Sequence, residues 1–411
     1  MPLNRKDYYR LPWSVSDNVF SWLEPTRECN IYCEGCFSVN ARGSHKTIDQ
    51  VREELDVFAK YRKSYAVCIA GGEPLTHPQI TDIVRLVASR GYKPMLNTNA
   101  LALTEDVLRK LKTAGLKKLT LHVDSRQRRP GWTGKSEIEL NELRLSLARM
   151  AARVGGIYCS FNTTVYADTL KFVPDLLKWA QENINIVHGV NFVLFRAAGP
   201  KGIFDYYANG KKVELPGMVY RTPEGTRADI SSIEVVEAIR KNFPDFEPCA
   251  YLSSVVAPDA FKWLITVRVG TRDAIYGYMG PKLMELTQEL YHFFTGRYLG
   301  PVGAATHRKA RRLFLAAVFD KGAARALRNY LRACLKAPMN VFKGVHMQTI
   351  TILQPLDVLK DGRQSMCDGC PDMTVWNGQL VWSCRLDEIK YYGCFLDTVP
   401  AAATGDKETG L

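Results

Sequence analysis

Three cysteines, Cys29, Cys33 and Cys36, stand in the run EPTRECNIYCEGCF with the spacing C-x3-C-x2-C. Thiolates this close on one loop can each bind one iron of a cubane iron–sulfur cluster, leaving the fourth iron without a protein ligand and open to chemistry. The other readings are weaker. Structural zinc normally takes four ligands, and no adjacent histidine completes this set; three free thiols so closely spaced invite oxidation. A second group, Cys367, Cys370, Cys384 and Cys394, follows C-x2-C-x13-C-x9-C, and its C-x2-C knuckle favours a metal site over four free thiols. Cys249 or Cys334 is an alternative to Cys394 as a ligand. Otherwise Cys68, Cys159, Cys249 and Cys334 are scattered singly and read as small buried hydrophobes.

A third chemistry-bearing run is Gly71-Gly72-Glu73-Pro74. Glycines at a strand end let backbone groups approach a ligand closely, and the glutamate can accept hydrogen bonds from an ammonium group.

The elements that must position these residues are legible as an alternation. SWLEPT, YAVCIAG, KPMLNTN, KKLTLHVD, IYCSFNTTVY and GVNFVLFRA read as strands, separated by helical patterns over 48–63, 77–91, 104–114, 136–154 and 169–183. This period implies βαβ units and a parallel sheet. Six such strands suit a partial (β/α)6 barrel of TIM type, although a doubly wound open sheet gives the same pattern. The expected organisation is a lead-in over 1–20, the α/β barrel over 21–200, a lid or linker and basic helical insert over 201–345, a small cysteine-rich β-hairpin region over 346–396, and a disordered tail over 397–411. Asn377-Gly378 between apolar runs predicts the hairpin turn.

The cysteine loop, followed one βα unit later by the GGEP loop, resembles the radical S-adenosylmethionine (SAM) superfamily over roughly residues 20–200. That resemblance implies a four-iron, four-sulfur cluster on Cys29, Cys33 and Cys36, whose open iron chelates the amino and carboxylate groups of SAM. It also implies that Phe37 approaches the adenine and that Gly71, Gly72 and Glu73 contact the methionine end. Asn97 and Asn99 after the third strand, Asp124 and Ser125 after the fourth, and Asn162 in the fifth stand where similar enzymes contact the ribose or the SAM carboxylate. Taken singly, these types also serve turns and helix N-caps.

The implied activity is reductive cleavage of SAM to a 5′-deoxyadenosyl radical that takes hydrogen from an unreactive carbon, with electrons from a flavodoxin- or ferredoxin-type donor. Such cleavage needs no side-chain base, so no catalytic residue is assigned, and His77 and His122 read as structural. The C-terminal hairpin ending in a cysteine is similar to the auxiliary-cluster extensions called SPASM or twitch domains. It lacks the downstream cysteine run of a full SPASM domain, which leaves an auxiliary cluster, a rubredoxin-like mononuclear iron and a zinc all open.

The 411 residues carry a formal charge of +13, and the excess is local. Between 301 and 345 ten Lys or Arg face one Asp, and HRKARRLFLAAVF with Arg325, Arg328 and Arg332 mixes cations with apolar residues at helical spacing. An ordinary solvated helix face has this composition, and so does a surface that meets phosphate headgroups. A weaker likeness to radical SAM enzymes that act on lipids points to a lipid or other anionic hydrophobic substrate; a ribosomally made peptide is the alternative. A non-catalytic iron–sulfur or zinc protein bound to nucleic acid is set aside, because no aromatic-and-basic RNA-binding signature is present. The start lacks an apolar signal region and no stretch of about 18 uncharged apolar residues follows. The expectation is a cytoplasmic protein, peripheral to a membrane where the basic segment meets one.

Overall fold

The computed structural model describes residues 3–36, 38–196, 204–215, 227, 229–301, 303 and 310–401. After a short strand β1 (Tyr9–Arg10), the chain runs through five consecutive βα units. In order these are β2 (Asp17–Thr26), α1 (Ile48–Tyr61), β3 (Lys63–Gly71), α2 (Ile80–Ser89), β4 (Lys93–Thr98), α3 (Glu105–Thr113), β5 (Lys118–His122), α4 (Asn141–Val154), β6 (Tyr158–Val165) and α5 (Val173–Glu182). A sixth strand, β7 (Gly189–Leu194), completes the run. Strands β2 to β7 pair in parallel and in sequence order, which brings their C-terminal ends to one face of the sheet.

The helices form where the sequence places start signals and apolar stripes. Thr47 and Gln50 close a capping box ahead of α1, and Val51, Leu55 and Phe58 lie buried on the inward face. In α2 the buried set is Ile80, Ile83, Val84 and Val87, and in α3 it is Leu108 and Leu111. Together with the sheet's outer side chains these make the main core.

The sheet continues well beyond residue 200. After β8 (Phe204–Ala208), β9 (Lys211–Val213) and α6 (Ser232–Asn242) come β10 (Ala250–Leu252), β11 (Trp263–Gly270) and β12 (Ile275–Tyr278). Helices α7 (Pro281–Thr295) and α8 (Lys321–Lys336) then precede β13 (His346–Leu353). β13 pairs in parallel with β7, β11 runs antiparallel to β13, and β10 and β1 finish that edge. The sheet is thus a mostly parallel α/β layer of partial-barrel type, and among the described residues no ladder joins β1 to β2 to close it.

The C-terminal region adds β14 (Asp357–Val358), β15 (Gln364–Ser365), β16 (Met373–Trp376), β17 (Gln379–Trp382), α9 (Leu386–Tyr392) and β18 (Asp397–Pro400). β16 and β17 form the hairpin expected at Asn377-Gly378, with both residues at positive φ (48° and 75°), as a type I′ turn requires. The segment 397–400, expected within a disordered tail, instead pairs with β8 because Asp397–Pro400 supplies an extended run in register with Phe204–Tyr207. The rest of that expected tail, 402–411, lies outside the described residues. Residues 310–318 wind as a 3-10 helix where the spacing predicted a continuous helical region.

The loop 367–372 spans the gap between the two ends of the sheet. On one side Asn18 of β2 donates to the Gly369 carbonyl at 3.2 Å. On the other, the Asp368 amide donates to the Ser253 carbonyl at 3.0 Å, just past β10. Gly369 is needed here because a Cβ would collide with the Trp13 carbonyl oxygen.

Candidate active site

The cysteine loop leaves the end of β2 and is pinned on every side. Asn40 and Cys29 exchange side-chain-to-backbone hydrogen bonds of 3.0 Å, and the Glu34 amide donates to the Arg126 carbonyl at 3.0 Å. Arg126 bridges Glu34 and Asp168 at 2.7 and 2.8 Å, while the Arg128 guanidinium lies 4.5 Å from the centre of the Tyr32 ring. Gly35 sits at φ 70°, where any Cβ would enter the Phe195 ring.

The glycine loop clasps this one. The Gly72 amide donates to Thr26 O at 2.9 Å and the Glu73 amide to Glu28 O at 2.7 Å. A Cβ on Gly72 would collide with the Glu28 carbonyl oxygen, so the pair of loops can approach this closely only with glycine there. Glu73 is fully buried and accepts from Thr98 Oγ1 at 2.6 Å, Asn99 N at 2.7 Å and Leu75 N at 2.9 Å. Its carboxylate therefore ties the glycine loop to the end of β4. Burial pushes its pKa up, against the pull of those hydrogen bonds.

All three thiols face one cavity of about 1040 Å³, shared with Gly71, Gly72, Glu73, Asn97, Asn99 and Asn162. Burial raises the pKa of Cys29, Cys33 and Cys36, the last to about 11, and each also feels another negative group nearby. Amide donors nevertheless reach the sulfurs: Asn99 Nδ2 lies 3.8 Å from Cys29 Sγ and the Ser38 amide 3.5 Å from Cys36 Sγ. Among the described residues no three His, Cys, Asp or Glu side chains converge tightly enough to hold one metal ion. Three soft donors around a shared void, each free to take a different iron, fit a cubane cluster better than a mononuclear site.

The remaining sequence-derived residues divide. Asn162 Nδ2 reaches Asn97 Oδ1 at 3.4 Å, and its own Oδ1 accepts from Asn191 Nδ2 at 2.7 Å, giving an amide row across β4, β6 and β7 inside the cavity. Asp124 and Ser125 are not on the cavity wall. Asp124 is buried behind it, and although burial opposes ionisation, hydrogen bonds from His122, Thr164 and the Arg126 amide hold its pKa below the usual carboxylate value. The Ser125 amide donates to Glu137 at 2.6 Å, a contact between the turn after β5 and the segment ahead of α4. Phe37 lies outside the described residues.

Several residues enter that the sequence reading left out. His122 lines the cavity, oriented by Asp124 Oδ2 at 2.9 Å. Gln127 hydrogen-bonds the Cys33 thiol. Arg129 donates to the carbonyl of Asn99 at 2.6 Å and brings a buried positive charge near Cys33 and Glu73. Asn191 carried a signal, a polar residue inside an apolar strand; Gln127 and Arg129 sit in a loop with no pattern that marks them.

Of the C-terminal group, Cys367, Cys370 and Cys384 line the same cavity, together with Asp372. A hydrogen bond that the Cys370 thiol donates to Cys367 and burial both push the Cys370 pKa up, with Cys384 adding to it, so the three thiols are close neighbours. Cys394 follows the αL residue Gly393 at the end of α9 and is not on the cavity wall. Cys249 donates to the Ile265 carbonyl at 3.3 Å and Cys334 is on α8, neither lining the cavity.

Comparison with known proteins places residues 23–180 within the family model described as the radical SAM superfamily. A 7,8-dihydro-6-hydroxymethylpterin dimethyltransferase of Methanocaldococcus jannaschii is 27% identical over 194 residues, covering 44% of this chain and 37% of the relative. An AdoMet-dependent heme synthase of Methanosarcina barkeri is 30% identical over 109 residues, covering 26% and 31%. The chain spans about a third of the length of these curated relatives. Among solved structures, Streptococcus suis SuiB bound to S-adenosylmethionine superposes with a TM-score of 0.39 at 15% identity, covering 56% of this chain and 48% of that one.

Proposed function

Since this chain belongs over residues 23–180 to the radical SAM superfamily, we propose that it takes hydrogen from an unreactive carbon of a long, largely apolar, anionic molecule, a lipid in the first instance. A four-iron, four-sulfur cluster with SAM would supply the reductive cleavage that yields a 5′-deoxyadenosyl radical. Cys29, Cys33 and Cys36 would hold that cluster. The chain's own part is placement and exclusion of water: Asn99 and Arg129 fix the loop ends around Cys29 and Cys33, and His122, held through Nε2 by Asp124 and Thr164, forms a fixed part of the cavity wall.

The observation that carries the substrate reading is the shape of the cavity. It extends from Glu73, Asn99 and Thr164 at the C-terminal ends of the strands to Tyr65, Lys118 and Tyr158 at their N-terminal ends. Along β6 alone the lining runs from Tyr158 to Thr164, six residue steps, or about 20 Å at strand rise. Trp22, Met95, Trp263, Ile265 and Met347 supply apolar walls. A substrate that fills this path is elongated. The test is 5′-deoxyadenosine formation by reconstituted protein with and without lipid extract: stimulation by lipid supports the reading, and stimulation by a peptide fraction alone would replace it with the peptide alternative.

A membrane surface supports the same reading. Helix α7 lines the cavity with Met284, Thr287 and Gln288 while Leu286, Leu290 and Phe293 form an exposed i, i+4, i+7 stripe on its other side. Nearby in the chain, Val318 (89% exposed), Leu335 (84%) and Phe342 (80%) stand out of the surface. Arg325, Arg328, Arg332 and Lys336 run along one side of α8, all exposed. The one acidic residue in 310–345, Asp320, is buried as the N-cap of α8, accepting from Ala323 N at 2.8 Å. Around α8, exposed apolar side chains flanked by cations without exposed acids match an anionic bilayer, whereas α7 also carries the exposed Glu285 and Glu289. Each cation near such a surface contributes about 1 kcal/mol. Wild type is expected to sediment with anionic vesicles at low salt and to release as salt rises, and R325Q/R328Q/R332Q/K336Q to bind more weakly. Equal binding by the variant would make α8 a solvated face. Arg308 and Lys309, from the original basic run, lie outside the described residues.

The C-terminal thiols are proposed as a second metal site built on Cys367, Cys370 and Cys384. Substituting all three with Ser should lower metal content below that of wild type while retaining the cluster on Cys29, Cys33 and Cys36. An unchanged metal content would mean that they bind none.

A further inference from the structure

At the N-terminal end of β5 the cavity contains a cation that none of the chemistry above uses. Lys118 is 6% exposed and lines the cavity between Met95 of β4 and Tyr158 of β6, its partners in register on either side. Among the described residues its ammonium group forms no hydrogen bond and no ion pair; its one marked contact is the Tyr158 ring, 5.1 Å away at the centroid. The Tyr158 hydroxyl cannot serve it as a counter-charge, because it donates to the His188 carbonyl at 2.8 Å. The one acidic group whose charge acts on it is Cys68, whose thiol burial keeps protonated.

A buried charge normally has a partner, since leaving it unpaired in an apolar setting is costly. Burial lowers the Lys118 pKa only to about 8, so the group stays mostly protonated near neutral pH. Of the other charged residues on the cavity wall, Glu73 answers to three donors, Arg196 to Asp357 and Arg27 to Asp387, and the Asp372 carboxylate feels the charge of Arg62. Lys118 faces open volume instead. The site is complete only when an anion enters from the cavity.

We propose that Lys118 binds the anionic headgroup, carboxylate or phosphate, of an elongated apolar substrate, and so sets which carbon lies beside the cysteine loop. Lys118 and His122 are four residues apart on one strand, about 13 Å at strand rise. The reacting carbon therefore lies on the order of 13 Å along the chain from the anionic group. One layer above Lys118, Thr120 and Ser160 share a 3.0 Å hydrogen bond and line the same wall, offering hydroxyls to an oxyanion. The inference rests on the proposed substrate class and is separable from it, because ligand binding is measured without turnover.

The test is calorimetric titration of anaerobically reconstituted protein with laurate, dodecyl phosphate and dodecanol. Wild type is expected to bind at least one of the two anions, the tighter of them identifying the headgroup, and to bind dodecanol at least about ten-fold more weakly. K118M should weaken anion binding by about ten-fold or more while leaving dodecanol affinity within about two-fold, and K118R should retain most of the anion affinity. Unfolding temperatures of the variants show whether the fold is intact; K118M that fails to fold leaves K118R and the anion-to-alcohol ratio of wild type to decide. Absence of anion binding by wild type, an affinity for dodecanol equal to that for the tighter anion, or anion affinity unchanged in folded K118M would each overturn the assignment. SAM cleavage by wild type tests the radical chemistry itself, so a protein that cleaves SAM but binds no anion refutes Lys118 alone.

Discussion

Reconstituted protein in which Cys29, Cys33 and Cys36 are all replaced by Ala is expected to lose its iron–sulfur absorption and to form 5′-deoxyadenosine no faster than buffer containing SAM and dithionite. The three thiols hang from one loop whose ends are fixed to Asn40, Arg126 and the glycine loop, so the surrounding fold does not depend on them. As free groups they are half-buried and hard to ionise, which makes them poor nucleophiles and gives them no evident use except as metal ligands, since a bound metal supplies the charge that their surroundings deny them. The triple variant should therefore unfold near the wild-type temperature. The matching C367S/C370S/C384S variant should keep the N-terminal cluster and part of the SAM cleavage. Full cleavage by the N-terminal triple variant would remove the cluster from those residues.

Glu73→Ala is expected to be the most damaging single substitution at the glycine loop. It removes an acceptor used by Thr98, Leu75 and Asn99 inside a fully buried setting. Leaving buried donors unpaired costs about 1–3 kcal/mol each, so stability should fall by on the order of 3 kcal/mol or more. Asn99 would also lose its anchor, and with it the 2.8 Å hydrogen bond from its side chain to Asn30 beside Cys29. A displacement of about 1 Å in a site of this kind costs on the order of a hundred-fold in rate, which is the expected drop in SAM cleavage. Glu73→Gln keeps the volume and one carbonyl acceptor, and should fall between. Thermal unfolding and iron content separate the two causes: an Ala variant as stable and as active as wild type would show that the carboxylate neither braces the loop nor meets a ligand.

Much of this was legible in the sequence where local signals agree. The six parallel strands announce themselves through the βα period, the cysteine spacing and the glycine loop sit at strand ends, and Asn377-Gly378 marks a turn whose positive φ values the structure shows. The sheet's second half was not read. WLITVRVG in β11 and HMQTITIL in β13 are plainly β-rich, but β11 is antiparallel and no helix lies between β10, β11 and β12, so the alternation that identified the first half gave no cue. Asp124 and Ser125 show another limit. Their place at a strand end is as expected, yet their orientation is set by His122, Thr164 and Glu137, partners 2 to 40 residues away whose approach depends on packing. The meeting of Cys367, Cys370 and Cys384 with the N-terminal cavity depends on the loop that bridges β2 and β10, a contact of more than 350 positions in Asn18 to Gly369. Lys118 was invisible for the opposite reason: a lysine beginning a strand usually points to solvent, whereas here it lies on the cavity-lining face of the sheet.

The central claim is that this chain cleaves SAM reductively and takes hydrogen from a substrate carbon. The most direct measurement is mass spectrometry of 5′-deoxyadenosine formed under anaerobic conditions by reconstituted wild-type protein with SAM, dithionite and perdeuterated lipid. The account predicts 5′-deoxyadenosine well above the cluster-free control, with deuterium carried into it from the lipid. Formation without deuterium would keep the cleavage and discard the lipid, whereas no 5′-deoxyadenosine above that control, from protein shown to hold its cluster, would contradict the claim outright.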